Sequence, residues 1–260
     1  MSQSNDSIGK TVIVAFSLCL VCSILVSGAA VMLKPMQVEN KANDIKRNIL
    51  ICGGLTENPT AGAEEVNELF ERITPVLVDL ESGEAVEGDT SYDQYRMAKD
   101  PAESYTIESS KDLAGIKYRA KKAVIYLEKN DQGIKQVILP IHGKGLWSTL
   151  YGFLALESDM ETVRGLSFYA HAETPGLGGE VDNPRWKSQW PGKKLYNANG
   201  SPAIEVIKGV VSSSTPGAEY KIDGLSGATI TSVGVSNLVR YWVGNNGYGP
   251  FLKKLKMGAM

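Results

Sequence analysis

Apolar and charged positions divide the chain into two parts of different character. From Thr11 to Leu33 it runs 23 residues without a charge, bounded by Lys10 and Lys34. At about 1.5 Å rise per residue, a helix of that length covers the roughly 30 Å hydrocarbon core of a bilayer. The pattern therefore predicts one membrane helix over 11–33, and no second apolar run of that length follows. Gln37 to Ile51 is charged and moderately amphipathic, which predicts a juxtamembrane helix ended by Gly53-Gly54. Val66, Leu69, Phe70 and Ile73 share one face at helical spacing, so a second helix is expected over Ala63–Ile73, stopped by Pro75.

Beyond this point the period changes to that of strands. Val76–Leu80 and Glu84–Glu87 flank Ser82-Gly83 and predict a short hairpin, whereas Tyr92 to Leu113 is polar, contains Pro101 and reads as an exposed excursion. Ala123–Leu127 and Gln136–Ile141 are β-rich runs joined by a turn at Asn130-Asp131-Gln132-Gly133. Tyr151–Leu156 and Val163–Ala170 form another such pair around Ser158-Asp159. Helical spacing returns at Val235, Leu238, Val239 and Trp242, with Thr231 and Ser232 placed to cap that helix. Antiparallel strands with helices before and after them imply an α+β fold, not a doubly wound parallel sheet.

Composition changes this picture little. The chain is 43% hydrophobic and 22% charged with a formal net charge of −2, a balance that argues against a nucleic-acid partner. A cleaved signal peptide competes with the anchor, because Ser27-Gly28-Ala29-Ala30 resembles a cleavage site. The apolar run is nonetheless longer than a usual signal core, and the leader, with Asp6 beside Lys10, is only weakly basic. Lys34, Lys41, Lys46 and Arg47 follow the span, so the charge rule leaves its orientation open. Cys19 and Cys22 lie inside the apolar run and Cys52 stands alone, too few ligands for a zinc or iron–sulfur site. His142 and His171 are the only histidines, each read as a loop residue that hydrogen-bonds at the surface; G-x-S-x-G is absent, so hydrolase chemistry has little support.

Three short segments carry the candidate chemistry. His142-Gly143-Lys144-Gly145-Leu146-Trp147-Ser148 joins the two strand pairs, and His171-Ala172-Glu173-Thr174-Pro175-Gly176-Leu177-Gly178-Gly179-Glu180 follows the fourth strand. Glycines crowded around a leucine and a threonine make a loop whose backbone can lie against a flat ring. The third segment, Asp223-Gly224-Leu225-Ser226-Gly227-Ala228-Thr229, is a tight turn leading into the last long helix. A phosphate there would meet free backbone N–H groups and the positive end of the helix dipole.

That third segment resembles the signature at which a flavin transferase esterifies a threonine with the phosphate of FMN. Together with the anchor, H-G-K-G-L-W-S, E-T-P-G-L-G-G-E and the final Gly249-Pro250-Phe251-Leu252, all in one order from Asn5-Asp6-Ser7-Ile8 onward, it resembles the C subunit family of bacterial Na+-translocating NADH:quinone reductases. It is similar, more distantly, to the G subunit of Rnf electron-transport complexes. The resemblance implies a cytoplasmic leader at 1–10, a transmembrane helix at 11–33, juxtamembrane helices and a periplasmic N-terminal part at 34–120, and an FMN-binding domain at 121–260 with an antiparallel sheet and flanking helices. It implies a single-pass protein of the bacterial inner membrane with its soluble domain in the periplasm. Carried over, the covalent acceptor of FMN is Thr229, with Thr231 as the other hydroxyl within reach. Ser226, Gly227 and Ala228 complete the acceptor turn, and Trp147, Glu173, Thr174, Leu177, Gly178 and Gly179 are expected around the flavin ring, Glu173 and Thr174 at its polar edge. The implied partners are a periplasmic flavin transferase using FAD and Mg2+, the membrane iron–sulfur D and E subunits and the flavin of the B subunit. The implied activity is electron relay within an oxidoreductase that pumps Na+, with no complete catalytic site in this chain. A membrane-anchored scaffold without a redox group is the remaining alternative.

Overall fold

The structure is a computed structural model that describes residues 7–131 and 133–258. Asn5 and Asp6, cited above for the resemblance, lie outside these residues, as does Gln132 of the expected turn. The chain divides into two compact units, Met1–Asp44 and Ile45–Met260. The first consists of the greater part of helix α1 (Ile8–Cys52), which is long and apolar enough to cross a membrane. Where the pattern predicts two helices there is one, with Pro35 inside it.

The second unit contains the rest. Helix α2 (Ala63–Phe70) is followed by strand β1 (Ile73–Asp79), the short helix α3 (Gln94–Met97), and strands β2 (Ser104–Thr106) and β3 (Tyr118–Ala120). Four longer strands come next: β4 (Lys122–Asn130), β5 (Gly133–Lys144), β6 (Thr149–Glu157) and β7 (Val163–Ala170). Helix α4 (Pro184–Lys187), strands β8 (Glu205–Val206) and β9 (Lys221–Ile222), and helices α5 (Thr229–Val243) and α6 (Gly249–Lys256) complete the chain. The main sheet has five strands in the order β1-β4-β5-β6-β7, every neighbouring pair antiparallel. The α+β expectation holds.

Both faces of this sheet are covered, which explains why β5 is buried almost continuously from Gln136 to Gly143. Val137, Leu139 and Ile141 point to one face and join Leu154, Val235, Leu238, Val239 and Trp242. Ile138, from the opposite face, joins Phe153 and Ala155 with Ile49, Leu50, Cys52 and Val66. Alternation of side chains along a strand produces this division. The end of α1 is fastened there: the Gly53 carbonyl accepts from Gln136 Nε2 at 3.0 Å and Arg164 Nε at 2.8 Å. The Cys52 thiol is buried and donates to the Phe153 carbonyl at 3.2 Å, and burial pushes its pKa up to about 12. It is a core side chain, unsuited to thiolate chemistry.

Four expectations need correction. Ile73 starts β1 instead of ending α2, because its partner is Glu128 of β4. Pro75 is tolerated in that strand because β1 is the edge of the sheet. The Glu84–Glu87 arm folds back on the outer edge of β1 as a shorter hairpin than expected, with a single bridge, Val78 to Ala85, flanked by bonds from the Asp79 N–H to the Glu84 carbonyl and from the Val86 N–H to the Leu77 carbonyl, both at 2.9 Å. Nor is 92–113 simply exposed: Gln94 and Ile107 are buried, and the Tyr95 ring sits 4.9 Å from that of His142 and 5.0 Å from that of Tyr151. His142 itself belongs to β5 and is buried, its ring stacked on Tyr151 at 5.7 Å, so it is a core residue and not a loop residue at the surface.

Candidate functional site

The acceptor turn is braced by backbone and side-chain hydrogen bonds, and its tip is exposed. The Ala228 N–H donates to the Leu225 carbonyl at 3.1 Å, closing a turn in which Gly227 has φ +71°, a conformation open to glycine at little cost. Ser232 Oγ accepts from the Leu225 N–H at 3.0 Å, and the first helical bond runs from Ser232 N–H to the Ala228 carbonyl at 3.0 Å. Asp223, expected only as part of the motif, is a brace. Its carboxylate accepts from the Val211 N–H at 2.7 Å, its carbonyl from Trp186 Nε1 at 2.8 Å, and its N–H donates to Gln189 Oε1 at 3.0 Å. A side chain on Gly224 would collide with the Ile207 carbonyl oxygen.

Helix α5 therefore begins two residues before the expected cap. Thr229 is its first residue and exposed, Ala228 precedes it, and no side chain caps the helix start. Thr231, predicted as a cap and as a rival acceptor, is fully buried and donates its hydroxyl to Glu173 Oε2 at 2.6 Å. The two hydroxyls thus have opposite fates although they lie two residues apart.

Glu173 is the point at which three segments meet. Its carboxylate also accepts from the backbone N–H groups of Trp147 at 3.0 Å, Ser148 at 3.1 Å and Leu146 at 3.3 Å. A Cβ on Gly145 would lie 2.6 Å from Glu173 Oε1, and one on Gly178 would lie 2.7 Å from both Glu173 Oε2 and Thr231 Oγ1. The two glycines are required by this close fit. Burial alone would raise the Glu173 pKa, but the bonds from Thr231 and from the Trp147, Ser148 and Leu146 amides outweigh it and hold the carboxyl below its ordinary value. All four of these donors to the Glu173 carboxylate come from the chain itself. His171 supports the same loop: its Nδ1 accepts from the Glu173 N–H at 3.2 Å, and its Nε2 lies 2.8 Å from Asp182 Oδ2.

Around this hub several apolar side chains are exposed beside the polar Thr174, Ser226 and Thr229. Trp147 is 67% exposed and lies outside the core of the sheet. Leu177 is 43% exposed and lies over the acceptor turn, where its Cδ2 would be 2.8 Å from a Cβ on Gly227. Thr174 is exposed at the head of a turn in which its carbonyl accepts from Leu177 N–H at 3.1 Å and Gly179 N–H at 2.9 Å. Ser226 and Gly227 are exposed and Ala228 is buried. Leu146, Ile230 and Val233 are exposed as well, and they are additions to the residues expected around the ring. Ile230 and Val233 fall off the Val235–Leu238–Val239–Trp242 stripe that faces the core, and this was the signal available for them. An uncapped helix start, a glycine at the turn, an exposed hydroxyl and exposed apolar side chains together suit a flat aromatic group carrying a phosphate.

Comparison with known proteins agrees with this chemistry. Residues 145–244, which include the loop tip, the Glu173 loop and α5, match the family model of the FMN-binding domain. The C subunit of the Na(+)-translocating NADH-quinone reductase of Yersinia pestis is 49% identical over 99% of this chain and 97% of its own, and that of Pseudomonas aeruginosa is 48% identical over 98% of each. The crystal structure of Shewanella oneidensis NqrC superposes with a TM-score of 0.76 at 33% identity, covering 84% of this chain and 99% of that one. Full-length identity of this order leaves the Rnf alternative behind, and the chain belongs to the family of the C subunit of the Na+-translocating NADH-quinone reductase.

Proposed function

We propose that this chain is the electron-relay subunit of a membrane NADH:quinone oxidoreductase that pumps Na+, and that its FMN is joined through phosphate to the hydroxyl of Thr229. The observation that carries the reading is the contrast between the two threonines of the first turn of α5: Thr229 is exposed at an uncapped helix start, and Thr231 is buried on Glu173. Bound FMN supplies one-electron transfer between neighbouring carriers. The chain's own residues have separate tasks. The first N–H groups of α5 favour the phosphate, Gly227 leaves the approach to Thr229 open, and Leu177, Leu146 and Trp147 offer apolar contact. Thr174 and the amides of its loop are the polar groups offered to the ring edge, the Glu173 carboxylate already taking donors within the chain.

A threonine hydroxyl is a weak nucleophile that needs a base or a metal. Glu173, the buried carboxylate that bonds to the first turn of α5, is already occupied by Thr231, so we assign attachment to an outside enzyme, a periplasmic flavin transferase dependent on FAD and Mg2+. This requires the second unit to face the periplasm, anchored by the span in α1, with the B, D and E subunits as the electron partners. Tethering also removes the recurrent association cost of about 4–15 kcal/mol that free FMN would meet. The test is production of the full chain with and without the transferase, followed by denaturing electrophoresis. In-gel flavin fluorescence present only with the transferase supports the reading. Colourless protein in both cases would leave a scaffold subunit.

A further inference from the structure

We propose that Glu173 is a positioning residue: its carboxylate locks the Leu146–Ser148 tip onto the first turn of α5, and so sets the environment of the flavin without touching it. The proposal rests on the reading that Thr229 carries FMN. Its physical basis is the chain's own geometry. One buried carboxylate takes four donors from two segments far apart in sequence, the tip amides of Leu146, Trp147 and Ser148 and the hydroxyl of Thr231. Thr231 is the third residue of the helix whose first residue is the acceptor, so the tip and the acceptor are held through a single side chain.

Two further features belong to the same device. Gly145 and Gly178 leave room for the carboxylate from opposite sides of the sequence, each within 2.7 Å of it if a Cβ were present. The Glu173 backbone N–H is itself held by His171, and Ser148 Oγ accepts from the Ala172 N–H at 2.8 Å, so the loop and the tip are joined a second time. Trp147 projects from the locked tip with its side chain exposed, which means that its placement depends on the backbone bonds and not on burial of the ring. Removing the carboxylate leaves four donors without their acceptor and loosens the tip, which keeps only the Ala172–Ser148 bond to the loop. Replacing it by the amide keeps the shape and an acceptor for Trp147 and Ser148, while removing a negative charge from the first turn of α5.

The test uses the full chain in detergent, co-produced with the transferase, as Glu173→Ala, Glu173→Gln and Thr231→Val. Hydrogen–deuterium exchange is read first, in a Thr229→Ala background without flavin. Glu173→Ala is expected to raise exchange at 146–148 at least tenfold with β5 and β6 unchanged, and Glu173→Gln to raise it less. Redox titration of the loaded proteins is read second. Glu173→Gln is expected to raise the flavin potential, because loss of a nearby negative charge favours the reduced form, and Glu173→Ala to alter the absorption spectrum as well. Unchanged exchange at the tip in Glu173→Ala overturns the lock. Increased exchange with potential and spectrum both unchanged overturns the positioning role and leaves Glu173 a structural residue. Should Glu173→Ala fail to fold, Thr231→Val, which removes one of the four donors, and Glu173→Gln carry the same two readings. Flavin persisting on Thr229→Ala would defeat the attachment reading instead, while the exchange experiment would still decide whether the lock exists.

Discussion

Replacing Gly234 by alanine sets two effects of opposite sign against each other, and the structure decides between them. Gly234 lies in α5, where alanine is favoured over glycine by about 1 kcal/mol on helix propensity alone. Its Cβ, however, would press on the Lys144 carbonyl oxygen closer than real side chains come, and would lie 3.3 Å from Gly145 Cα and 3.4 Å from the Lys144 carbonyl carbon. These are backbone atoms, so no rotamer change relieves the contact. Overpacking costs about 1–3 kcal/mol, and a contact this close on rigid backbone belongs in the upper part of that range, about 2–3 kcal/mol. The clash therefore wins by about 1–2 kcal/mol, and since a domain of this size loses roughly 2–4 °C per kcal/mol, Gly234→Ala should melt about 2–8 °C below the parent. Because Lys144 and Gly145 lead directly into the tip held by Glu173, covalent flavin yield should fall in the same variant. Thermal unfolding of the full chain in detergent, followed by circular dichroism, measures the first effect, and in-gel fluorescence the second. A melting temperature equal to or above the parent's would refute the close seat of α5 on the end of β5.

Further outcomes follow from the same geometry. Trp147→Ala should change stability by no more than about 0.5 kcal/mol, as expected for an exposed side chain, yet alter the flavin absorption spectrum; a large loss of stability would return Trp147 to the core. Gly227→Val should abolish flavin loading, since valine resists φ +71° and its Cβ would meet Leu177 Cδ2 at 2.8 Å; normal loading would show that the turn is not constrained. Burial pushes the His142 pKa down from 6.5 to about 4, so the unfolded chain takes up a proton that the folded chain refuses. Stability should then fall as pH drops below about 6.5 and level off near 4, by up to ~3 kcal/mol, and His142→Phe should flatten the slope between pH 6.5 and 5, where carboxylates still carry charge. A reporter active only in the cytoplasm, fused after the C-terminus, should be silent; activity there would contradict periplasmic exposure and the route of flavin loading.

Much of the sheet was legible because strand period is a local property. Val163–Ala170 is β7 itself, and the runs 123–127, 136–141 and 151–156 lie inside β4, β5 and β6. The boundary at α2 was misread because Val66, Leu69, Phe70 and Ile73 share helical spacing, and only pairing with β4 draws Ile73 into a strand. His142 looked like a loop residue because Gly143 and Gly145 follow it, yet β5 continues through it to Lys144. At the candidate site the acceptor motif stood out in sequence, since its turn is local, but its bracing did not. Asp223 reaches Val211, Trp186 and Gln189, and Glu173 reaches Thr231 across 58 positions, contacts that no spacing rule reports. For the same reason Thr231 looked like a helix cap: its hydroxyl is claimed by a distant carboxylate, and the helix starts two residues earlier.

That Thr229 carries the flavin can be read out by peptide-level mass spectrometry of the chain purified from the assembled reductase. One FMN phosphoester is expected, located by fragmentation on Thr229, with Thr231 unmodified, and none on the chain carrying Thr229→Val. Flavin mapped to Thr231 or elsewhere, or an unmodified chain from an active complex, would contradict it.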